Sequence, residues 1–180
     1  VPRDGRPDDA DGAPPQQRLP ASTTYTVEIP AGTRSALGAT LATGKAWTFQ
    51  TPTVTLQASH PQWGPQGLEP VLYARFDQAI DAAKVLATIS VDGRTGAELR
   101  LATAAEIEAD ASVKSLVAGS EKGRWLAFRA VKPLPRATSI RVNVGPGTPS
   151  AEGPRKTTAV QAWSFRTYGP MELEEYGCGW

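Results

Sequence analysis

The sequence predicts an all-β protein, a complete β-sandwich preceded by the C-terminal half of another. Three observations carry this expectation. Residues 19–52 recur, with substitutions, at 134–168. Apolar residues in each copy alternate with polar ones, in the period of two that puts one face of a strand in a core and the other in water. Turn formers are abundant, with 17 glycines and 16 prolines in 180 residues, and many fall between the alternating runs.

The repeat sets the boundaries. Leu19-Pro20 matches Leu134-Pro135, Val27 matches Val142, Gly32-Thr33 matches Gly147-Thr148, and Gly38 matches Gly153, all at an offset of 115 residues (134 − 19). After one inserted residue, Ala46-Trp47 matches Ala162-Trp163, Phe49 matches Phe165 and Thr51 matches Thr167, at an offset of 116 (163 − 47). A period of this size suits a sandwich domain and is too long for a solenoid. Each copy holds two strand signals: Tyr25, Val27 and Ile29 then Trp47 and Phe49, and Ile140, Val142 and Val144 then Trp163 and Phe165. Alternation within them points each Trp–Phe pair into a core.

Between the copies lie the front strands of the second unit. Val54 and Leu56 open it, and Leu72, Ala74 and Phe76 alternate with Val71, Tyr73 and Arg75. Ile89 and Val91 lead into Asp92-Gly93, a hairpin signal, with Leu99 and Leu101 as the expected returning strand. Leu126 and Phe128 form another strand before Pro133. Short strands at this spacing predict an immunoglobulin-like sandwich over residues 53–168. Its expected core holds Leu72, Phe76, Phe128, Ile140, Val142, Trp163 and Phe165. Thr103 to Glu106 form a capping box, and Ile107, Ala111 and Val113–Val117 follow at near-helical spacing. A helix is therefore expected near 104–117, inserted between strands and lying on the sandwich, with Glu106, Glu108 and Asp110 on its solvated face.

The first unit is incomplete. Eighty residues (134 − 54) precede the Leu-Pro of the second unit, but only 18 precede that of the first. Residues 1–18, rich in Pro, Asp and Gly, read as a linker or loop. Residues 19–52 then form the C-terminal half of an incomplete sandwich. Two strands cannot cover an apolar face alone, so a separate fragment or another chain is expected to complete them. Residues 169–180 read as the start of a following domain.

Charge and chemistry narrow the function. Nineteen Lys and Arg against 18 Asp and Glu leave a net charge of +1, and no basic stripe offers a nucleic-acid surface. No apolar run approaches the roughly 18 residues of a membrane span. The single cysteine, Cys178, excludes a disulfide framework within the chain, and its native partner is expected beyond Trp180. His60, the only histidine, sits in Ser59-His60-Pro61 without the surroundings of a catalytic triad. One His and one Met, Met171, far apart in sequence, make no copper site. Asp8, Asp9 and Asp11 hint at a calcium loop, but its first ligand position falls on Pro7 and its closing glutamate position on Arg18. The chain is therefore expected to be non-enzymatic, with no catalytic, cofactor-binding or metal-binding residues.

Two stretches carry a family resemblance. Phe76-Asp-Gln-Ala-Ile-Asp81, Val91-Asp-Gly93, Leu134-Pro135 and Trp163-Ser-Phe-Arg-Thr167 look like bacterial Ig-like domains of secreted and cell-surface proteins. Gly147-Thr-Pro-Ser-Ala-Glu-Gly-Pro154, followed by Trp163–Pro170, resembles the N-terminal Ig-like region of bacterial alpha-2-macroglobulin-like proteins. The resemblance covers 53–180 well and 19–52 weakly. It implies a structural and interaction module of a large periplasmic or surface-anchored protease inhibitor, whose partners are neighbouring domains of the same parent protein. The family's thioester motif is absent here, since Gly179 and Trp180 follow Cys178. The alternative reading is an Ig-like stalk of a bacterial adhesin or surface-layer protein.

Overall fold

The computed structural model describes residues 18–171, apart from Gly93, Gly96 and Ala97. It is mostly β-structure with a few short helices. β1 (Thr24–Ile29) and β2 (Lys45–Gln50) form a separate antiparallel hairpin. A four-stranded sheet runs β3 (Leu56–His60), β5 (Leu72–Phe76), β9 (Trp125–Ala130), β8 (Leu99–Leu101). A five-stranded sheet runs β4 (Pro65–Gln66), β11 (Gln161–Thr167), β10 (Ser139–Val144), β6 (Ile89–Val91), β7 (Arg94–Thr95).

The two larger sheets share one apolar core. Leu72, Ala74, Phe76, Leu126 and Phe128 enter it from the four-stranded sheet. Ile89, Val91, Ile140, Val142, Val144, Trp163 and Phe165 enter it from the five-stranded sheet. The seven expected core residues all lie in this cluster, because alternation along a strand fixes which side chains face the opposite sheet. α1 (Ala82–Leu86) adds Val85 and Leu86 to the cluster. Its start is set by Asp81, whose carboxylate accepts from the backbone N–H groups of Ala83 and Lys84 at 3.1 and 3.2 Å. The sequence reading missed this helix, which is too short to show a period.

The segment expected as one helix over 104–117 forms two, α2 (Ala104–Ala109) and α3 (Ala111–Ala118). Asp110 breaks it. Its backbone is extended, and its side chain accepts from the N–H groups of Ser112 and Val113, capping α3 afresh. The capping box of Thr103 and Glu106 is present as expected. The helices cover the outer face of the four-stranded sheet. Val71, Tyr73, Ala127 and Val113 make a second cluster there, with Ile107, Leu116, Val117 and Trp125 against it. Tyr73 is thus fully buried. Its hydroxyl lies 2.5 Å from that of Ser120, which donates to the Leu116 carbonyl at 2.6 Å.

One strand assignment is corrected. The strand returning to β6 is Arg94–Thr95, paired through Val91–Arg94 and Ser90–Thr95. Leu99–Leu101 instead crosses to the other sheet and pairs with β9. There Leu99 enters the shared core.

Trp163 is 9% exposed, and among the described residues its buried indole N–H has no hydrogen-bond partner. Trp163→Ala is expected to cost about 3–5 kcal/mol. Trp163→Phe is expected to cost much less, since it removes an unpaired donor along with the lost contacts. Urea unfolding of the two variants checks both the size and the order.

Candidate interaction surface

The β1–β2 hairpin pairs Tyr25 with Phe49, Val27 with Trp47 and Ile29 with Lys45. Residues directly opposite share a face. One face therefore carries Tyr25, Val27, Ile29, Trp47 and Phe49, and the other Thr24, Thr26, Glu28, Thr48 and Gln50. Tyr25 and Phe49 stack with centroids 5.2 Å apart and planes at 17°. Trp47 and Phe49 were expected to point into a core, and here the structure differs. Trp47 is 49% exposed and Phe49 38%. The reason is geometric: among the described residues no second sheet lies over this hairpin, and neither of its outer edges is paired.

The hairpin repeats β10–β11 pair for pair. Val27–Trp47 corresponds to Val142–Trp163, Tyr25–Phe49 to Ile140–Phe165, and Ile29–Lys45 to Val144–Gln161. The correspondence reaches single hydrogen bonds. The Thr51 hydroxyl donates to the Pro20 carbonyl at 3.0 Å and accepts from the Thr23 N–H at 2.9 Å. Thr167 does the same with Pro135 at 2.6 Å and Thr138 at 3.1 Å. The Gly32 N–H donates to Leu41 and the Gly147 N–H to Thr157, each at 2.8 Å. Both glycines have a left-handed backbone, φ +85° and +89°, which suits glycine at this turn. Ser22 and Ala137, at matching positions, have φ of 51° and 52°.

The base of the hairpin is bolted to the larger unit. Ser22 is fully buried. Its hydroxyl donates to Gln78 Oε1 at 2.8 Å, while Gln78 Nε2 donates to the Pro52 carbonyl at 3.0 Å. The Arg155 N–H donates to the Ser22 carbonyl at 2.7 Å, and the Arg155 guanidinium donates to the Thr51 carbonyl. Gly153 lies against the backbone here: a Cβ on it would collide with the carbonyl oxygens of Ala21 and Ser22 and with Thr23 Oγ1. Glu152 fastens the same loop to the segment between β5 and α1 by accepting from the Ala79 N–H at 2.7 Å. Sequence reasoning missed this joint. Gly153 and Pro154 read as an ordinary turn, and nothing local marks Ser22 or Gln78 as contacts across 56 residues.

The residues weighed for chemistry do not converge. His60 ends β3 opposite Tyr73 and is half-buried. Met171 is exposed. Asp8, Asp9, Asp11 and Cys178 lie outside the described residues. Among the described residues no three His, Cys, Asp or Glu side chains gather as a metal-binding group, and no helix is long and apolar enough to cross a membrane.

Glu106, expected on a solvated helix face, is instead gripped from several sides. Arg100 makes two bonds to it, at 2.8 and 2.5 Å, and Arg129 a third at 2.6 Å. The Thr103 N–H donates at 2.8 Å. Hydrogen bonds from Arg100 first, then the Thr103 backbone, then Arg129, hold its carboxyl far below the usual carboxylate range. The cluster ties α2 to β8 and β9, a structural task. Of the other two acids, Glu108 pairs with Lys114 at 2.7 Å and Asp110 caps α3.

Two outcomes follow for this region. Gly153→Ala is expected to push the 150–155 loop off the hairpin base, speeding hydrogen exchange at the Arg155 amide while leaving unfolding of the two-sheet core nearly unchanged. A carboxyl whose pKa is lowered by folding stabilises the fold above its unfolded value, about 4.3, and that contribution is lost as pH falls toward the folded value. Glu106→Gln should therefore lower the melting temperature at pH 7, and the gap from the parent should narrow as pH falls below about 4, as followed by thermal melts across pH. The chain matches no protein-family model and has no significant match among curated proteins.

Proposed function

We propose that this chain is a non-catalytic structural and interaction module of a large extracytoplasmic bacterial protein, an alpha-2-macroglobulin-like protease inhibitor. On this reading residues 53–168 form an immunoglobulin-like sandwich, and 19–52 are the closing half of a preceding one. Its partners are neighbouring domains of the same parent, and its place is the periplasm or the cell surface. The observation that supports it best concerns the stretch carrying the family resemblance. Residues 147–154 belong to the loop that grips the base of the preceding hairpin, through Gly153 and the adjoining Arg155. That segment thus works as a coupling between successive units, as a multidomain inhibitor requires. An Ig-like stalk of an adhesin or surface-layer protein would use the same coupling and is the alternative.

The two part company downstream. The inhibitor reading expects a Cys-x-Glu-Gln thioester segment beyond Trp180, and expects the intact protein to inhibit proteases while residues 1–180 alone do not. Further sandwich repeats ending in a sorting signal, with no protease inhibition by the intact protein, would sink it in favour of the stalk. Osmotic-shock fractionation of the bacterium checks the location, since recovery in the cytoplasm alone contradicts both readings.

A further inference from the structure

We propose that the apolar face of the β1–β2 hairpin is one wall of a second two-sheet core. Its other wall is a four-stranded sheet built like β3–β5–β9–β8 and supplied by the same polypeptide ahead of the hairpin. The proposal rests on the reading of residues 19–52 as the closing half of a preceding sandwich. It holds whether the parent is an inhibitor or a stalk, so its failure removes that half-domain and leaves the choice of parent to the downstream sequence and the inhibition assay.

The repeat carries the argument. β1–β2 and β10–β11 match in register, in turn geometry and in the threonine bonds at the strand ends. They differ in what lies over them. The face of Ile140, Val142, Trp163 and Phe165 is covered by Leu72, Phe76, Leu126 and Phe128, and Trp163 is 9% exposed. The matching face of Tyr25, Val27, Trp47 and Phe49 leaves Trp47 at 49%. The chemistry of the missing wall follows. It presents aliphatic and phenylalanine side chains at alternate positions of antiparallel strands, with no charge opposite Trp47. Lys45 stands at the rim, where Gln161 stands in the complete unit.

Chain order names the source. In the complete unit the covering strands β3, β5, β8 and β9 all precede β10. A second copy of this chain is a poor occupant. The inner face of its own four-stranded sheet is buried in its own core, and α3 with its neighbours covers the outer face. Among the described residues it offers only another two-stranded hairpin, and such small assemblies are marginal in water. The exposed aromatic face and unpaired edges are also a liability that a folded protein covers.

The test compares hydrogen exchange of residues 24–29 and 45–50 in two proteins, each with and without Trp47→Lys. One is the purified 180-residue chain; the other is the longest natural polypeptide containing it. In the short chain these amides are expected to exchange fast, and Trp47→Lys to change nothing. In the long polypeptide they should exchange about 100-fold more slowly, and Trp47→Lys should abolish that protection while leaving protection within 53–168 intact. Equally fast exchange in the long polypeptide overturns the proposal. So does strong protection in the short chain as a monomer, which would mean that residues 1–180 cover the face themselves. Protection that rises with concentration alongside a dimer in sedimentation would assign the face to a second copy, and overturns it too.

Discussion

An antiparallel strand pair that carries Trp, Phe and β-branched residues on one face must have a second layer over that face. This constraint organises the whole chain. Where it is met, in β10–β11, the two sheets share one core, and α1 contributes Val85 and Leu86 to it. Where no covering sheet is present among the described residues, in β1–β2, the same side chains in the same register remain at the surface. The contrast is informative because the local structures are alike. Backbone pairing and turn chemistry build the hairpin; burial is decided by what packs on it.

The strand ends show why the two hairpins agree so closely. One threonine hydroxyl, Thr51 or Thr167, joins the chain entering the first strand to the chain leaving the second. It accepts one backbone N–H and donates to a carbonyl, satisfying groups that the ladder leaves over. Neighbouring Thr23 and Thr138 each bond back two residues, to Ala21 and Arg136. These contacts are local to the repeat, so they form whether or not a second sheet lies over the hairpin. In the first copy the same corner also serves as the attachment point to the larger unit, through Ser22, Gln78 and the Gly153 loop.

The four-stranded sheet meets the covering requirement twice. Its inner face lies on the five-stranded sheet, and its outer face takes α2 and α3, so Tyr73 and Val71 are buried on the side opposite Leu72 and Phe76. The helices are too short to persist without this packing. They are held by Val113 and the partly buried Ile107, Leu116 and Val117, and by the Glu106 carboxylate drawn between Arg100 and Arg129. Glu106 thereby serves two elements at once, closing the capping box of α2 and tying that helix to β8 and β9.

By itself the sequence determined the all-β character, the repeat, the register-bearing alternation and the seven core residues. Each of these rests on contacts between near neighbours or on a period along one strand, which a linear reading can count. The capping box at Thr103 was legible for the same reason. Only tertiary structure decided the rest. Leu99–Leu101 pairs with a distant strand, β9, where Leu99 is buried, in place of the hairpin expected for it. Asp110 split one expected helix because its side chain capped the next. Ser22, Gln78, Gly153 and Arg155 became a joint although they lie up to 133 residues apart (155 − 22). Trp47 and Trp163, indistinguishable by pattern, took opposite surroundings, because burial belongs to the partner surface and is not written in the strand that meets it.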